Sequence, residues 1–240
     1  MKNAAFALAI DAPVCRYVDL DGCTEHACER VLSDEERARA RRFRFARDGQ
    51  RFMSAHVALR ELLAAYTGLR AEALRFVTSA FGKPSLPDQP RTRFSLSHSQ
   101  GLGLIAIGGR GPLGADVEWL RTVPDAAALA AQHFTRRENE ALAALPAHER
   151  NRAFLTCWTR KEACLKAIGL GLMVPPESFE VGVTPERRSV EVPLAGRILW
   201  LVLGPAPSRM DSVGSLAEWR QTQITATAAR SMTSTSQVCA

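Results

Sequence analysis

Phe154-Leu155-Thr156-Cys157-Trp158-Thr159-Arg160-Lys161-Glu162-Ala163-Cys164-Leu165-Lys166 is the stretch on which the fold turns. Wound as a helix, it places Trp158, Glu162 and Lys166 in one i, i+4, i+8 row. Phe154, Leu155 and Leu165 share that broad face. The opposite face carries Cys157, Ala163, Cys164 and Ala167, side chains small enough for close packing. Both faces read as buried, so a carboxylate and an ammonium sit among apolar groups. An i, i+4 ion pair contributes only about 0.2–0.5 kcal/mol. Charges held in an apolar face need a partner or a task. The helix runs from about Asn151 to Ile168 and stops at Gly169.

Two further segments carry chemistry. In Gly114-Ala115-Asp116-Val117-Glu118, a strand turns Asp116 and Glu118 to one face, with Cα atoms roughly 6–7 Å apart. Val117 points the other way, toward a core. Two carboxylates on one face repel unless neutralised. A hard divalent cation such as magnesium, held by oxygen ligands, would do this. A solvated strand edge is the alternative. The other segment is Phe81-Gly82-Lys83-Pro84, followed by Phe94-Ser95-Leu96-Ser97-His98-Ser99. Ser97, His98 and Ser99 end a strand just before Gly101, where they are placed to donate to a phosphate. Taken alone, this segment reads as a loop with a histidine.

Around these segments the chain reads as mixed α and β. Ala4 to Ile10 reads as a buried first strand. Ser33-Asp34-Glu35-Glu36 is a capping box opening a basic helix from Glu35 to about Phe45. A second helix runs from about Asp48 to Tyr66, stopped by Gly68. Strand-like runs follow at Arg75–Thr78, Phe94–Ser97, Gly101–Ile107 and Ala115–Leu120. Thr135-Arg136-Arg137-Glu138 is a second capping box. Phe179–Val183, Ser189–Val192 and Ile198–Leu203 read as closing strands.

A weak repeat runs through the chain. Ser33-x-x-Glu36 corresponds to Thr135-x-x-Glu138, Arg60 to Lys161, and Gly68-Leu69 to Gly169-Leu170. Duplication of one α/β unit accounts for it, and so does chance. The division falls near Gly108–Gly114, giving halves at 1–110 and 111–220. From Gln221 to Ala240 the chain is polar and reads as a disordered tail.

The 240 residues suffice for one large domain or two small ones. A net charge of +6 points to an anionic partner without choosing one. The N-terminus lacks the pattern of a signal peptide, and no stretch approaches the roughly 20 apolar residues of a membrane helix. A cytoplasmic protein is expected. Six cysteines without a C-x-x-C pair read as reduced thiols. The spacing of Cys15, Cys23, His26 and Cys28 matches no familiar zinc pattern.

The order G-K-P, S-L-S-H-S, G-A-D-V-E, W-x-x-K-E-A-x-x-K resembles the 4′-phosphopantetheinyl transferase superfamily, most nearly its double-length, surfactin-synthetase-activating type. The resemblance covers roughly residues 30 to 185. It implies an α+β fold of two similar α/β halves in a pseudo-twofold monomer, with coenzyme A in the cleft between them. The implied reaction moves the phosphopantetheine arm of coenzyme A onto a serine of an apo carrier protein and releases 3′,5′-ADP. Carried over by position, Asp116, Glu118 and Glu162 would hold magnesium, and Lys166 would contact phosphate. Glu162, or a water it orders, would take the proton of the attacking serine. Ser97 and His98 would bind phosphates on the adenosine side, with Lys83 near the adenine and ribose. Arg39 and Arg51 would meet the 3′-phosphate, and Lys161 joins the residues facing coenzyme A. Glu36 stands where some members carry a basic residue. After Leu203 the prolines Pro205 and Pro207 predict an open or altered C-terminal edge.

Two other readings use the same residues. The run Arg37 to Phe45 would suit a nucleic-acid-binding module, although no recognised motif accompanies it. The carboxylates would also suit a magnesium-dependent phosphohydrolase. Arg41, Arg42, Arg44 and Arg47 exceed what coenzyme A requires, and an acidic carrier protein would complement them.

Overall fold

A computed structural model of the chain describes residues 12–22, 30–108 and 111–219. The expected strand Ala4–Ile10, most of the cysteine-histidine cluster (Cys23, His26, Cys28) and the polar tail lie outside the described residues. Cys15 is a free, half-buried thiol.

The first half opens with β1 (Val14–Asp19) and α1 (Asp34–Ala40), then the 22-residue α2 (Ala46–Thr67). A short hairpin, β2 (Val77–Thr78) and β3 (Pro84–Ser85), leads into β4 (Phe94–Ser99) and β5 (Leu102–Ile107). Strands β1, β5 and β4 form one antiparallel sheet in that order. Leu59 and Leu63 of α2 pack into the sheet with Phe94, Ile105 and Ile107.

The second half begins with β6 (Leu113–Trp119). Helices α3 (Ala126–His133), α4 (Arg136–Ala144) and the 22-residue α5 (Ala147–Ile168) follow. Strands β7 (Arg188–Leu194), β8 (Arg197–Pro205) and β9 (Ser212–Trp219) complete a four-stranded antiparallel sheet in the order β6-β9-β8-β7. Both faces of α5 are buried: Phe154 and Leu155 on one, Cys157, Ala163, Cys164 and Ala167 on the other. Gly114 shows why the sequence needs a glycine there. A Cβ at that position would lie 1.9 Å from the Ala163 carbonyl oxygen and 2.4 Å from the Ala167 nitrogen. Strand β6 therefore lies directly on the backbone of α5, and Asp116 is brought to Glu162 and Lys166 by that contact.

Both capping boxes form, with Ser33 and Glu36 in one half and Thr135 and Glu138 in the other. Each capping glutamate also reaches a buried cation of its long helix. Glu36 Oε2 lies 2.8 Å from Arg60 Nε, and Glu138 Oε2 lies 2.7 Å from Lys161 Nζ. Each cation donates to two carbonyls after its helix: Arg60 to Ala71 and Leu74, Lys161 to Pro176 and Phe179. Each lies over a phenylalanine ring, Phe76 at 5.0 Å and Phe179 at 4.9 Å. Gly68 and Gly169 end the two long helices in the left-handed conformation, at φ 76° and 78°, which glycine adopts at no steric cost.

Three expectations from sequence are corrected, and one further helix is found. The basic helix ends at Ala40 instead of Phe45, because the chain turns so that Gly49 of α2 can meet the Ala40 carbonyl; a Cβ on Gly49 would lie 2.7 Å from it. Phe179–Val183 is not a strand. Its backbone is hydrogen-bonded to side chains: the Val181 and Gly182 amides donate to Glu138, and the Val181 carbonyl accepts from Arg160. Helix α3 adds an element to those read from the sequence, and its Asp125 N-cap makes no side-chain bond. The C-terminal edge is closed: β9 inserts between β6 and β8, pairing Leu216 with both Ala115 and Gly204.

The edge strands β4 and β6 meet through serine side chains. Ser95 Oγ accepts from the Ala115 amide at 2.9 Å, and Ser97 Oγ from the Val117 amide at 3.4 Å. Ser99 Oγ donates to Glu118 Oε2 at 2.7 Å. Alternation in S-L-S-H-S puts the three serines on one face, and that face is the seam with β6.

Candidate active site

A cavity of about 1460 Å³ opens along this seam. At one end stand Glu162 and Lys166 of α5. The hairpin carrying Phe81, Gly82 and Lys83 also lines it, as do Arg39 of α1 and Phe52 and His56 of α2.

The charged end is built from three elements, α5, β6 and β4. Lys166 Nζ lies 2.6 Å from Asp116 Oδ1 and donates to Ser97 Oγ at 2.9 Å. Ser97 in turn donates to Asp116 Oδ1 at 2.7 Å. Asp116 is 5% exposed, and its other oxygen, Oδ2, is buried with no hydrogen-bond partner. Desolvation of such an atom has a real cost. Glu118 sits two residues along the same strand face. Burial raises its pKa, with repulsion from Asp116 adding to that and the Ser99 bond opposing it. Glu162 is raised as well, by burial first and then by the Asp116 charge. The Asp116 charge thus acts on both Glu118 and Glu162, and the Lys166 ammonium is bonded to Asp116.

Arg39, Lys83, Glu162 and Lys166 line the cavity, while Asp116 and Ser97 are bonded to Lys166 without lining it and Glu118 is bonded to Ser99. Several expected ligand contacts are directed elsewhere. Ser97 is engaged by Asp116, Lys166 and the Val117 amide instead of projecting freely toward a ligand. Arg51 is paired with Asp21 at 2.6 Å, away from the cavity lining. Lys161 is 2% exposed and locked to Glu138 inside the second half. The Lys83 ammonium donates to the carbonyls of Leu113, Lys166 and Ala167, and burial lowers its pKa to about 8. His98 keeps an exposed edge, while its packed side and the nearby Lys166 charge hold the imidazole below its ordinary value.

Sequence reading missed the Phe52-His56-Arg60 row. His56 stacks on Phe52 at 4.1 Å between ring centres, and Arg39 lies over Phe52 at 5.1 Å. His56 Nδ1 is 2.8 Å from Glu36 Oε1. The i, i+4, i+8 period that singles out Trp158, Glu162 and Lys166 also marks this row. The acidic Glu36 is consumed by His56 and Arg60. Burial opposes its ionisation, but His56, the Ser33 amide and Arg60 outweigh burial and bring its pKa down to about 2.

Among the described residues, no three His, Cys, Asp or Glu side chains stand close enough to form a preassembled metal centre. The donor set nevertheless suits a hard cation: an unpartnered buried carboxylate oxygen on Asp116 and two carboxyls whose ionisation is opposed by burial and mutual repulsion. Phosphate oxygens would have to complete such a shell, the usual arrangement for magnesium. No helix among the described residues is long and apolar enough to cross a membrane.

Comparison with known proteins matches both halves to one family. The model of the 4′-phosphopantetheinyl transferase superfamily matches residues 112–202, and that of the 4′-phosphopantetheinyl transferase N-terminal region matches 24–108. The chain is 39% identical over 158 residues to the 4′-phosphopantetheinyl transferase HetI of Nostoc, covering 65% of this chain and 66% of HetI. It is 37% identical to a putative 4′-phosphopantetheinyl transferase of Synechocystis, over 59% of this chain and 58% of that one. The matches thus span less than two thirds of either cyanobacterial relative. With the 4′-phosphopantetheinyl transferase Sfp of Bacillus subtilis the chain is 32% identical, over 68% of its own length and 71% of Sfp. Neither the nucleic-acid reading nor the phosphohydrolase reading gains support from these relatives. With Sfp matched over 71% of its length and both halves matched by family models, the chain belongs to the 4′-phosphopantetheinyl transferase superfamily.

Proposed function

We propose that this chain transfers the 4′-phosphopantetheine arm of coenzyme A to a serine hydroxyl of an apo acyl or peptidyl carrier protein. The serine oxygen bonds to the β-phosphorus, the pyrophosphate bridge breaks, and 3′,5′-ADP departs with the bridging oxygen. The observation that supports this best is the Lys166–Asp116 contact at the charged end of an open cavity, with Glu162 and Glu118 beside it.

Phosphoryl transfer asks the protein chiefly to position and neutralise. Lys166 holds its charge where pyrophosphate oxygens arrive. Glu162, whose pKa is raised, accepts the serine proton at its carboxylate, directly or through one water. Asp116, Glu118 and Glu162 would hold magnesium, which supplies Lewis-acid neutralisation of the pyrophosphate. Arg39, with Phe52 and His56, forms the wall for the adenosine end, and His98 supplies a further donor. Arg51 and Lys161 have no such role in this reading, since Asp21 and Glu138 hold them. The two halves, 1–110 and 111–220, each contribute one side of the site, and the chain acts as a cytoplasmic monomer. Exposed Arg41, Arg42, Arg44 and Arg47 face an acidic carrier.

The co-product separates this reading from hydrolysis. With coenzyme A and magnesium, 3′,5′-ADP should form only when an apo-carrier is added. Steady release of phosphate or 3′,5′-ADP without carrier overturns the proposal.

A further inference from the structure

Lys83 lies in a cavity-lining hairpin, yet its ammonium is fully engaged by backbone carbonyls. Its Nζ donates to the carbonyls of Lys166 at 2.6 Å, Ala167 at 2.8 Å and Leu113 at 3.2 Å. An ammonium has three N–H donors, so none is left for a ligand. Two of the carbonyls belong to the last turn of α5, where the helix provides no partners and a cation is favoured. One of them is the carbonyl of Lys166 itself. The third starts β6, the strand that carries Asp116. The stem of Lys83 crosses Gly169, where a Cβ would lie 2.7 Å from Lys83 Cδ. The hairpin is small, only Val77–Thr78 paired with Pro84–Ser85. Lys83 thus fastens the hairpin of the first half to the two elements of the second half that hold the Lys166–Asp116 pair.

We propose that Lys83 is a positioning residue for the transfer, fixing the Lys166 and Asp116 backbones relative to the cavity wall against which coenzyme A lies. This rests on the function proposed above. Lys83 acts through Lys166 and makes no contact with the substrate in this account. Misplacing a catalytic group by about 1 Å costs on the order of 100-fold in rate, so its loss should appear in the chemical step.

The test uses the full chain with Lys83→Met, which keeps the stem and removes all three donors, and Lys83→Gln, which retains an amide's two N–H donors. Coenzyme A affinity is measured by calorimetric titration, steady-state transfer to one apo-carrier by mass spectrometry, and folding by thermal melting. Expected for Lys83→Met is a kcat lower by about 10–100-fold, with the coenzyme A Kd within about threefold of wild type. Lys83→Gln should fall between the two. If Lys83→Met does not fold, the Lys83→Gln split between kcat and Kd decides. A Kd raised more than about tenfold with kcat little changed would make Lys83 a ligand contact and overturn the proposal. A lowered melting temperature with wild-type kcat would make it merely structural, which also overturns it. Absence of transfer by the wild-type chain would overturn the underlying function and this proposal with it.

Discussion

Lys166 and Asp116, 50 residues apart in the chain, stand 2.6 Å from each other. Strand β6 reaches this position because Gly114 lies bare against α5. Ser97 bonds to both partners from the other half of the molecule. One oxygen of Asp116 is satisfied by this arrangement, and the other is buried without a partner. In the proposed function that oxygen would face magnesium, and Lys166 the pyrophosphate of coenzyme A.

Asp116→Ala should therefore lower kcat by at least about 100-fold, the scale seen when a transition-state electrostatic contact is removed. Excess EDTA should silence the wild-type chain in the same assay. Full activity in EDTA would remove the divalent metal from the account.

Gly114→Ala should cost about 3 kcal/mol or more, since overpacking against rigid backbone is not relieved by side-chain adjustment. The added methyl would lie 1.9 Å from the Ala163 oxygen. Denaturant unfolding checks this. A midpoint equal to that of wild type would mean that β6 does not lie on the helix backbone.

Glu36 supplies a pH-dependent share of stability. Its pKa drops from 4.5 to about 2 on folding. Between those values the unfolded chain binds more protons, so stability rises with pH there. The contribution is complete above about pH 4.5 and disappears as pH falls through about 2. The shift corresponds to about 3 kcal/mol. Glu36→Gln should be less stable than wild type at pH 7 by roughly that amount, with the gap closing as pH falls toward 2. Parallel stability curves would show that Glu36 is not ionised and paired with Arg60 and His56.

Salt should raise the carrier KM more than it lowers kcat, because Arg41, Arg42, Arg44 and Arg47 are exposed and such steering is screened. Reversing two of these arginines to glutamate should do the same at low salt. A carrier KM that stays flat from low to high salt would mean that docking does not use this surface.

The sequence made the acidic centre legible because periodicity suffices there. Alternation joins Asp116 to Glu118, and helical spacing joins Glu162 to Lys166. Both capping boxes and both left-handed glycines were equally local. Partners chosen across the fold were not legible. Lys161, Lys83 and Arg51 are basic residues in suggestive motifs, but each is engaged by groups that lie apart from it in the chain: Glu138, three carbonyls of the second half, and Asp21. Ser97 and Ser99 of S-L-S-H-S read as phosphate donors, and the structure shows Ser95 and Ser97 bonded to β6 amides and Ser99 to Glu118, partners that strand alternation alone does not name. Strand β9 was hidden because Ser212-Val213-Gly214-Ser215 lacks a run of large apolar residues. It is stabilised by ladders on both sides, which intrinsic propensity does not reveal.

The most direct test of the whole account is the intact mass of an apo-carrier after incubation with the enzyme, coenzyme A and magnesium, across a panel of acyl and peptidyl carriers. At least one carrier should gain the mass of one phosphopantetheine on its serine. No gain should occur with Lys166→Ala, or when that serine is replaced by alanine. Unmodified carriers throughout, from a folded enzyme that binds coenzyme A, would contradict it.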